Sequence, residues 1–366
     1  MALDSYITLG RSGLRVAPFA LGAMTFGEHE GGIGASADDS VRILETYLDR
    51  GGNFIDTANF YTNGQSEEIL GDFFARNPGR RDRVVLASKF YTNLHLGDPN
   101  AGGAGRKALL GQLDETLRRM RTDYLDVYYL HNYDEHTPIE ETMSVLDDLV
   151  HAGKIRYIGF SNTPAWITAK AQTMALLRGS SPIIALQVEY SLLARTVEGE
   201  LTPLALDSGM GLVPWGPLKN GFLSGKYSRD GVTGESRRAE HAGEPTEDQF
   251  AVIDEVGRIA RELGTTHAAV SLAWLLRQPA VAAPIVGART LEHLEANLAA
   301  LDLELDEAHL AALSAASIPQ LNYPFDLNQQ VGAMLQFGGT TVNGVHGPVY
   351  PPLARSVVTD RVNVPA

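Results

Sequence analysis

Asn53-Phe54-Ile55-Asp56-Thr57-Ala58-Asn59-Phe60-Tyr61 is the stretch on which the reading of this chain turns. Phe54 and Ile55 have the character of a short buried strand, and a carboxylate, Asp56, follows at once. A phenol, Tyr61, stands five residues further on. Alone, the segment is also a good turn, because Asp and Asn favour loops and tyrosines often sit half buried. Its meaning depends on what the other strands do at the same point.

On the N-terminal side, Tyr6 to Val16 holds two short segments around Arg11-Ser12-Gly13, a hairpin with a turn glycine. Pro18 to Leu21 reads as a strand ending at Gly22. Val41, Leu44 and Leu48 then share one helical face, and Gly51-Gly52 stops that helix. On the C-terminal side, a helix begins at Ser66, with Glu67 and Glu68 favourable in its first turn. Strands are expected at Arg83 to Ala87, Tyr124 to Leu130, Arg156 to Phe160, Ile183 to Leu186, Leu212 to Pro214 and Pro284 to Val286. Between them lie helical stripes such as Leu109, Leu113, Leu117 and Met120, or Ile139, Met143, Leu146 and Val150.

Short apolar strands alternating with helices call for a parallel sheet covered by those helices. Eight such units over about 300 residues favour a closed (β/α)8 barrel, the TIM barrel. An open doubly wound sheet is the alternative, but its glycine fingerprint belongs in the first strand-to-helix turn. Here that turn is Gly22-Ala23-Met24-Thr25-Phe26-Gly27, with no G-x-G-x-x-G. One domain is expected: a barrel with an N-terminal hairpin over residues 1–318, and residues 319–366 as a C-terminal extension of it.

Composition excludes several function classes. The net charge of -14 argues against a nucleic-acid partner. Cysteine is absent, so disulfides and thiolate metal sites are ruled out. Met1 to Tyr6 lacks the basic start and apolar run of a signal peptide, and no apolar stretch reaches membrane-spanning length. A cytoplasmic protein without membrane contact is the expectation, and a homo-oligomer is compatible with it.

The expected strands finish on polar groups in turn: Asp56, Lys89, His131, Ser161-Asn162, Gln187, Trp215 and Gly287. In a barrel these ends converge on one mouth, where active sites are built. A tyrosine is a poor acid near neutrality, and a nearby ammonium such as Lys89 is expected to lower its pKa. Buried, Lys89 needs a counter-charge, which Asp56 can supply. The imidazole of His131 can hold a substrate oxygen. The set is a proton donor aimed at a carbonyl; it cannot deliver a hydride, so a cofactor must. A metal-dependent barrel hydrolase would need clustered His and carboxylate ligands, and His131 and His136 are the only close histidine pair at a strand end.

At these residues the chain resembles the aldo-keto reductases. Asn53 to Tyr61 matches the family signature, with Asp56 and Tyr61 on catalytic positions. Ser88-Lys89 and Leu130-His131 match the lysine and histidine positions, and Gly153-Lys154-Ile155-Arg156-Tyr157-Ile158-Gly159-Phe160-Ser161-Asn162 matches the fifth-strand motif. The resemblance runs from about Thr8 to Leu305. It implies reversible NADPH-dependent reduction of aldehydes or ketones, with Tyr61 as general acid, Lys89 tuning it, Asp56 anchoring Lys89 and His131 orienting the carbonyl.

The resemblance also implies cofactor residues. Ser161, Asn162 and Gln187 match positions that hold the nicotinamide carboxamide, and Trp215 the position that stacks on it, within the turn Pro214-Trp215-Gly216-Pro217-Leu218. Leu223-Ser224-Gly225-Lys226 resembles a loop over the pyrophosphate, followed by a surface loop to about Pro245. Gly287-Ala288-Arg289-Thr290 opens a helix suited to a phosphate, and Arg289 can pair with a 2′-phosphate. Asn297 matches an adenine-side position, and His293 stands where related sequences often carry glutamine. The same fold also serves as nucleotide-sensing auxiliary subunits of channels, the second functional reading. Finally, residues 319–350 carry one charge, Asp326, among many apolar groups. The stretch from about Asn322 to Tyr350 is therefore expected to fold back as a lid whose aromatic side chains line an apolar pocket.

Overall fold

The computed structural model describes residues 1–28, 34–229, 231–233 and 243–352. Strands β1 (Ile7–Thr8) and β2 (Arg15–Val16) pair antiparallel as the expected hairpin. Then follow β3 (Ala20–Gly22), β4 (Phe54–Asp56), β5 (Val85–Phe90), β6 (Leu125–Leu130), β7 (Ile155–Ser161), β8 (Ile183–Glu189) and β9 (Gly211–Trp215). A small ribbon, β10 (Tyr227–Ser228) with β11 (Gly231–Val232), precedes β12 (Ile285–Gly287). The strands β12-β3-β4-β5-β6-β7-β8-β9 form one eight-stranded sheet, parallel throughout. Its ends meet just before β12: Leu212 N donates to Ala280 O and Ala282 N to Leu212 O, both at 2.8 Å. The fold is the (β/α)8 barrel that the alternation of strands and helices predicts.

Helices return the chain from each strand to the next. Ala37–Asp49 shows why they form where they do. Ser36 caps it by accepting from Asp39 N at 3.1 Å, and Asp38 and Asp39 sit in its first turn, favourable to the helix dipole. Gly51, at φ +92°, turns the chain out of it. Its inner face buries Ile43, Leu44 and Tyr47, and the Tyr47 hydroxyl reaches Phe19 O at 2.7 Å between β3 and β4.

The period of two along a strand divides the interior into two cores. Ile55, Leu86, Tyr128, Leu130, Ile158, Phe160 and Leu186 point outward into the layer under the helices. Phe54, Val85, Ala87, Val127, Tyr129, Ala185 and Val213 point into the barrel, which Leu9 and Val16 of the hairpin plug from below. Continuing that inward row by two residues gives Asp56, Lys89, His131 and Gln187. Gly159 belongs to the inward row as well: a Cβ there would stand 2.2 Å from the Tyr129 ring, so the buried phenol requires a glycine.

Beyond the barrel, Glu307–Ala316 is helical, and the tail after it departs from expectation. Residues Phe325–Phe337 form a helix, followed by a small hairpin of Thr341–Val342 with Val345–His346.

Candidate active site

Asp56 ends β4 on the inward row, and its register partner on β5 is Ala87, so Lys89 lies one inward step higher. Lys89 is wholly buried, and its ammonium donates to Asp56 Oδ2 at 2.7 Å, to Thr57 O at 2.8 Å and to the Tyr61 hydroxyl at 3.0 Å. Gln187, reaching from β8, donates Nε2 to the other Asp56 oxygen at 2.8 Å. Every proton of the ammonium and both carboxylate oxygens therefore have partners, which is what a buried ion pair requires.

Tyr61 is brought to Lys89 by a tight turn. Thr62 and Asn63 follow it at φ +50° and +55°, a left-handed conformation unusual for a β-branched residue. Thr62 Oγ1 holds the turn by donating to Phe26 O at 2.7 Å. On the opposite face of the same segment, Asn59 Nδ2 donates to Thr92 O and to Gln112 Oε1, both at 3.1 Å. Asn59 was not singled out from sequence; a polar residue between Asp56 and Tyr61 is the only local hint of it.

The electrostatics correct one expectation. Burial lifts the Tyr61 phenol above its ordinary value; Lys89 opposes this and Asp56 reinforces it, so the net shift is upward rather than downward. For Lys89, burial disfavours the charged form, but Asp56 and then Tyr61 outweigh it, and the ammonium is held. His131 is pushed down to about 3, by burial first and by the Lys89 charge second. Its ring lies 6.0 Å from that of Tyr61 and 5.4 Å from that of Phe60, and Nδ1 is buried with no partner.

A cavity of ≈ 660 Å³ opens over this cluster. Asp56, Tyr61, His131, Asn162, Gln187 and Trp215 line one end; Pro217, Leu218 and Lys226 line the side; Gly287, Arg289, His293 and Asn297 line the other end. Three predicted residues do not reach its wall. Lys89 is wholly buried and bonded to Asp56 and Tyr61, Ser161 is buried, and Gly225 turns the chain at φ +88°. Ser224 of the predicted pyrophosphate loop lines the cavity, as do Met24, Thr25, Phe60, Asn220 and Gly221, which were not assigned a role from sequence. The predicted surface loop to about Pro245 falls largely outside the described residues.

The cavity wall is cross-braced. Asn162, at φ +47°, donates Nδ2 to His131 O at 3.0 Å and accepts from Trp215 Nε1 at 3.1 Å, tying the ends of three barrel units. At the far end Thr290 caps the helix Leu291–Leu298, accepting from His293 N at 3.2 Å, and Asn297 Nδ2 donates to Gly287 O at 3.1 Å. Burial, then the charges of Arg289 and Lys226, pushes the His293 imidazole below its ordinary value. Arg289 has no ion-pair partner among the described residues.

The expected aromatic lining from the tail is not found: among the described residues none beyond Asn297 lines the cavity, and Tyr323 is 77% exposed. The tail leaves the barrel beside Gly199, near which Leu321 and Phe325 lie. No group of three or more His, Cys, Asp or Glu suited to a metal occurs among the described residues, and none of their helices is long and apolar enough to cross a membrane.

Residues 18–318 match the sequence profile of the Aldo/keto reductase family. The chain is 37% identical over 318 residues to the uncharacterized oxidoreductase YrpG of Bacillus subtilis, covering 84% of this chain and 94% of that protein. It is 35% identical over 324 residues to norsolorinic acid reductase B of Dothistroma septosporum, covering 86% and 80%. It is 32% identical over 356 residues to the aryl-alcohol dehydrogenase [NADP(+)] of Phanerodontia chrysosporium, covering 91% and 89%.

Proposed function

The chain belongs to the aldo/keto reductase family, and from that membership we propose that it reduces aryl aldehydes or ketones to alcohols with NADPH, Tyr61 acting as the acid. The observation that carries this reading is the buried Lys89 ammonium, bonded to Asp56 at 2.7 Å and to the Tyr61 hydroxyl at 3.0 Å.

The residues fit a nicotinamide dinucleotide. Ser161 Oγ is buried without a partner but does not reach the cavity wall, so a carboxamide would be held by its neighbours. Asn162 and Gln187 have each committed part of their amide to the protein and retain further donor and acceptor capacity for a carboxamide. Trp215, held by Asn162, presents an aromatic wall between them and the turn at Pro217 and Leu218. The helix start at Thr290, with Arg289 and Lys226 nearby, favours phosphate charge on a chain that is otherwise strongly anionic. The cofactor would supply the hydride, and the protein the proton and the setting.

In that setting Asp56 and Thr57 O keep Lys89 charged, and the Lys89 charge stabilises the phenolate that remains when Tyr61 gives its proton to the carbonyl oxygen. Its upward-shifted phenol stays protonated through neutral pH, the form a donor needs. His131 stays neutral there and can hold the carbonyl oxygen without adding a second cation beside Lys89. Phe60, 38% exposed with its ring 5.1 Å from that of Tyr61, offers a flat apolar surface at the reacting end. That surface, and the similarity to an aryl-alcohol dehydrogenase, support aromatic substrates.

Turnover of NADPH with a panel of aryl and alkyl aldehydes tests the proposal. The wild type should reduce the aryl members preferentially. Tyr61→Phe should lose nearly all reduction, about three orders of magnitude or more, while keeping its NADPH affinity. Tight NADPH binding by the wild type with no turnover of any carbonyl would instead support the nucleotide-sensing reading.

A further inference from the structure

The tail after the last barrel helices forms an arm. Arg195 anchors its root, donating to Ser314 O at 2.8 Å and Ser317 O at 3.1 Å, and Leu321 is buried beside Gly199. Beyond Leu321 the arm packs mainly on itself. Gly347 sits so close to the helix Phe325–Phe337 that a Cβ there would stand 2.0 Å from Ala333 O, and Gly339 N donates to Gly347 O at 2.8 Å. The helix contains no buried residue, although Leu327, Val331, Met334 and Leu335 fall on one stripe at helical spacing. Leu327 is 45% and Leu335 62% exposed, and Val342 and Val345 of the adjoining hairpin are exposed, as are Val349 and Tyr350 after it.

Such a unit does not stand by its own energetics. A helix of 13 residues with a glycine in its interior is marginal in water, and a lone two-stranded hairpin is too. Folded, it leaves apolar surface that something must cover. Charge identifies the cover. The chain carries -14, so two copies repel over most of their surface, yet residues 319–350 contribute a single charge, Asp326. The arm is thus where two like-charged copies can approach most cheaply. A lipid surface is a poor fit, because an interfacial helix needs lysine or arginine on its polar face and this stretch has neither.

We propose that the arm is the contact through which two copies of this chain associate, each copy burying its arm's apolar stripe against the other. An arm carried by every copy pairs symmetrically at no further cost in sequence.

Sedimentation velocity over a range of concentrations tests this on the full chain and on a Leu327→Glu, Leu335→Glu variant. Both leucines are largely exposed in the single copy, so the variant should retain the wild-type circular dichroism and barrel. The wild type should sediment at twice the 39.5 kDa of one chain, and the variant at the mass of one. A wild type that stays a single copy at every concentration, or a dimer that survives both charges, would overturn the proposal. A single-copy wild type whose substrate selectivity changes in the variant would place the arm over its own barrel mouth instead.

Discussion

Gln187 and Asp56, 131 residues apart in the chain, are joined across the barrel mouth by a 2.8 Å hydrogen bond from the glutamine amide to Asp56 Oδ1. Because Lys89 takes the other oxygen at 2.7 Å, the carboxylate is saturated and its orientation determined.

Asp56→Asn should therefore cost more than its near-identical shape suggests. It leaves the Lys89 ammonium in a dry interior without a counter-charge, a loss of about 3–5 kcal/mol when one partner of a buried pair is removed. Gln187→Leu removes one hydrogen bond to a charged group and should cost about 1.5–3 kcal/mol. Urea unfolding of both variants checks the order; an Asp56→Asn protein as stable as wild type would mean that Lys89 is not held as a cation.

Arg289→Ala should lower NADPH affinity roughly 10- to 150-fold, the loss of about 1.5–3 kcal/mol for one charge-assisted phosphate contact, with little change for NADH. Fluorescence titration of both cofactors measures it. A wild type that binds the two equally would exclude a 2′-phosphate contact at this end of the cavity.

The pH dependence follows from two shifts of opposite sign. With His131 pushed down to about 3, no acid limb from this residue should appear in the reduction rate between about pH 5 and 8. With the Tyr61 phenol raised, reduction should weaken only on the alkaline side, as the acid loses its proton. For stability, the folded His131 binds its proton less readily than the unfolded chain, whose ordinary value is 6.5. The stability it contributes is thus present above 6.5 and is lost as pH falls toward about 3. Denaturant midpoints from neutral to acid pH should show that slope in the wild type, and His131→Asn should flatten it. A rate limb near pH 6.5 that His131→Asn abolishes would contradict a neutral, buried imidazole.

Much of this was legible in the sequence because barrel strands encode locally. Runs such as Val84-Val85-Leu86 are buried on both faces, so they read as strands without alternation. A polar residue at the end of such a run must leave the apolar core, which drew attention to Asp56, Lys89, His131 and Gln187 together. Caps were legible too: Gly51 ends one helix, and Thr290 begins another where the sequence places it. Asn59 was not legible, since its partners Thr92 and Gln112 lie on another loop and another helix.

By itself, then, the sequence determined the barrel, the order of its strands, and which side chains meet at its mouth, because the period of two and the apolar runs are properties of neighbouring residues. Tertiary structure alone decided how those side chains interact. The Tyr61 phenol is shifted up rather than down because burial, set by the whole fold, outweighs the Lys89 charge that the residue list suggests. Gln187 is committed to Asp56, and Ser161 Oγ left without a partner, by distances across the barrel. The tail, apolar enough to suggest a lid, supplies none of the described residues that line the cavity; composition registers that surface needs cover, but not which surface covers it.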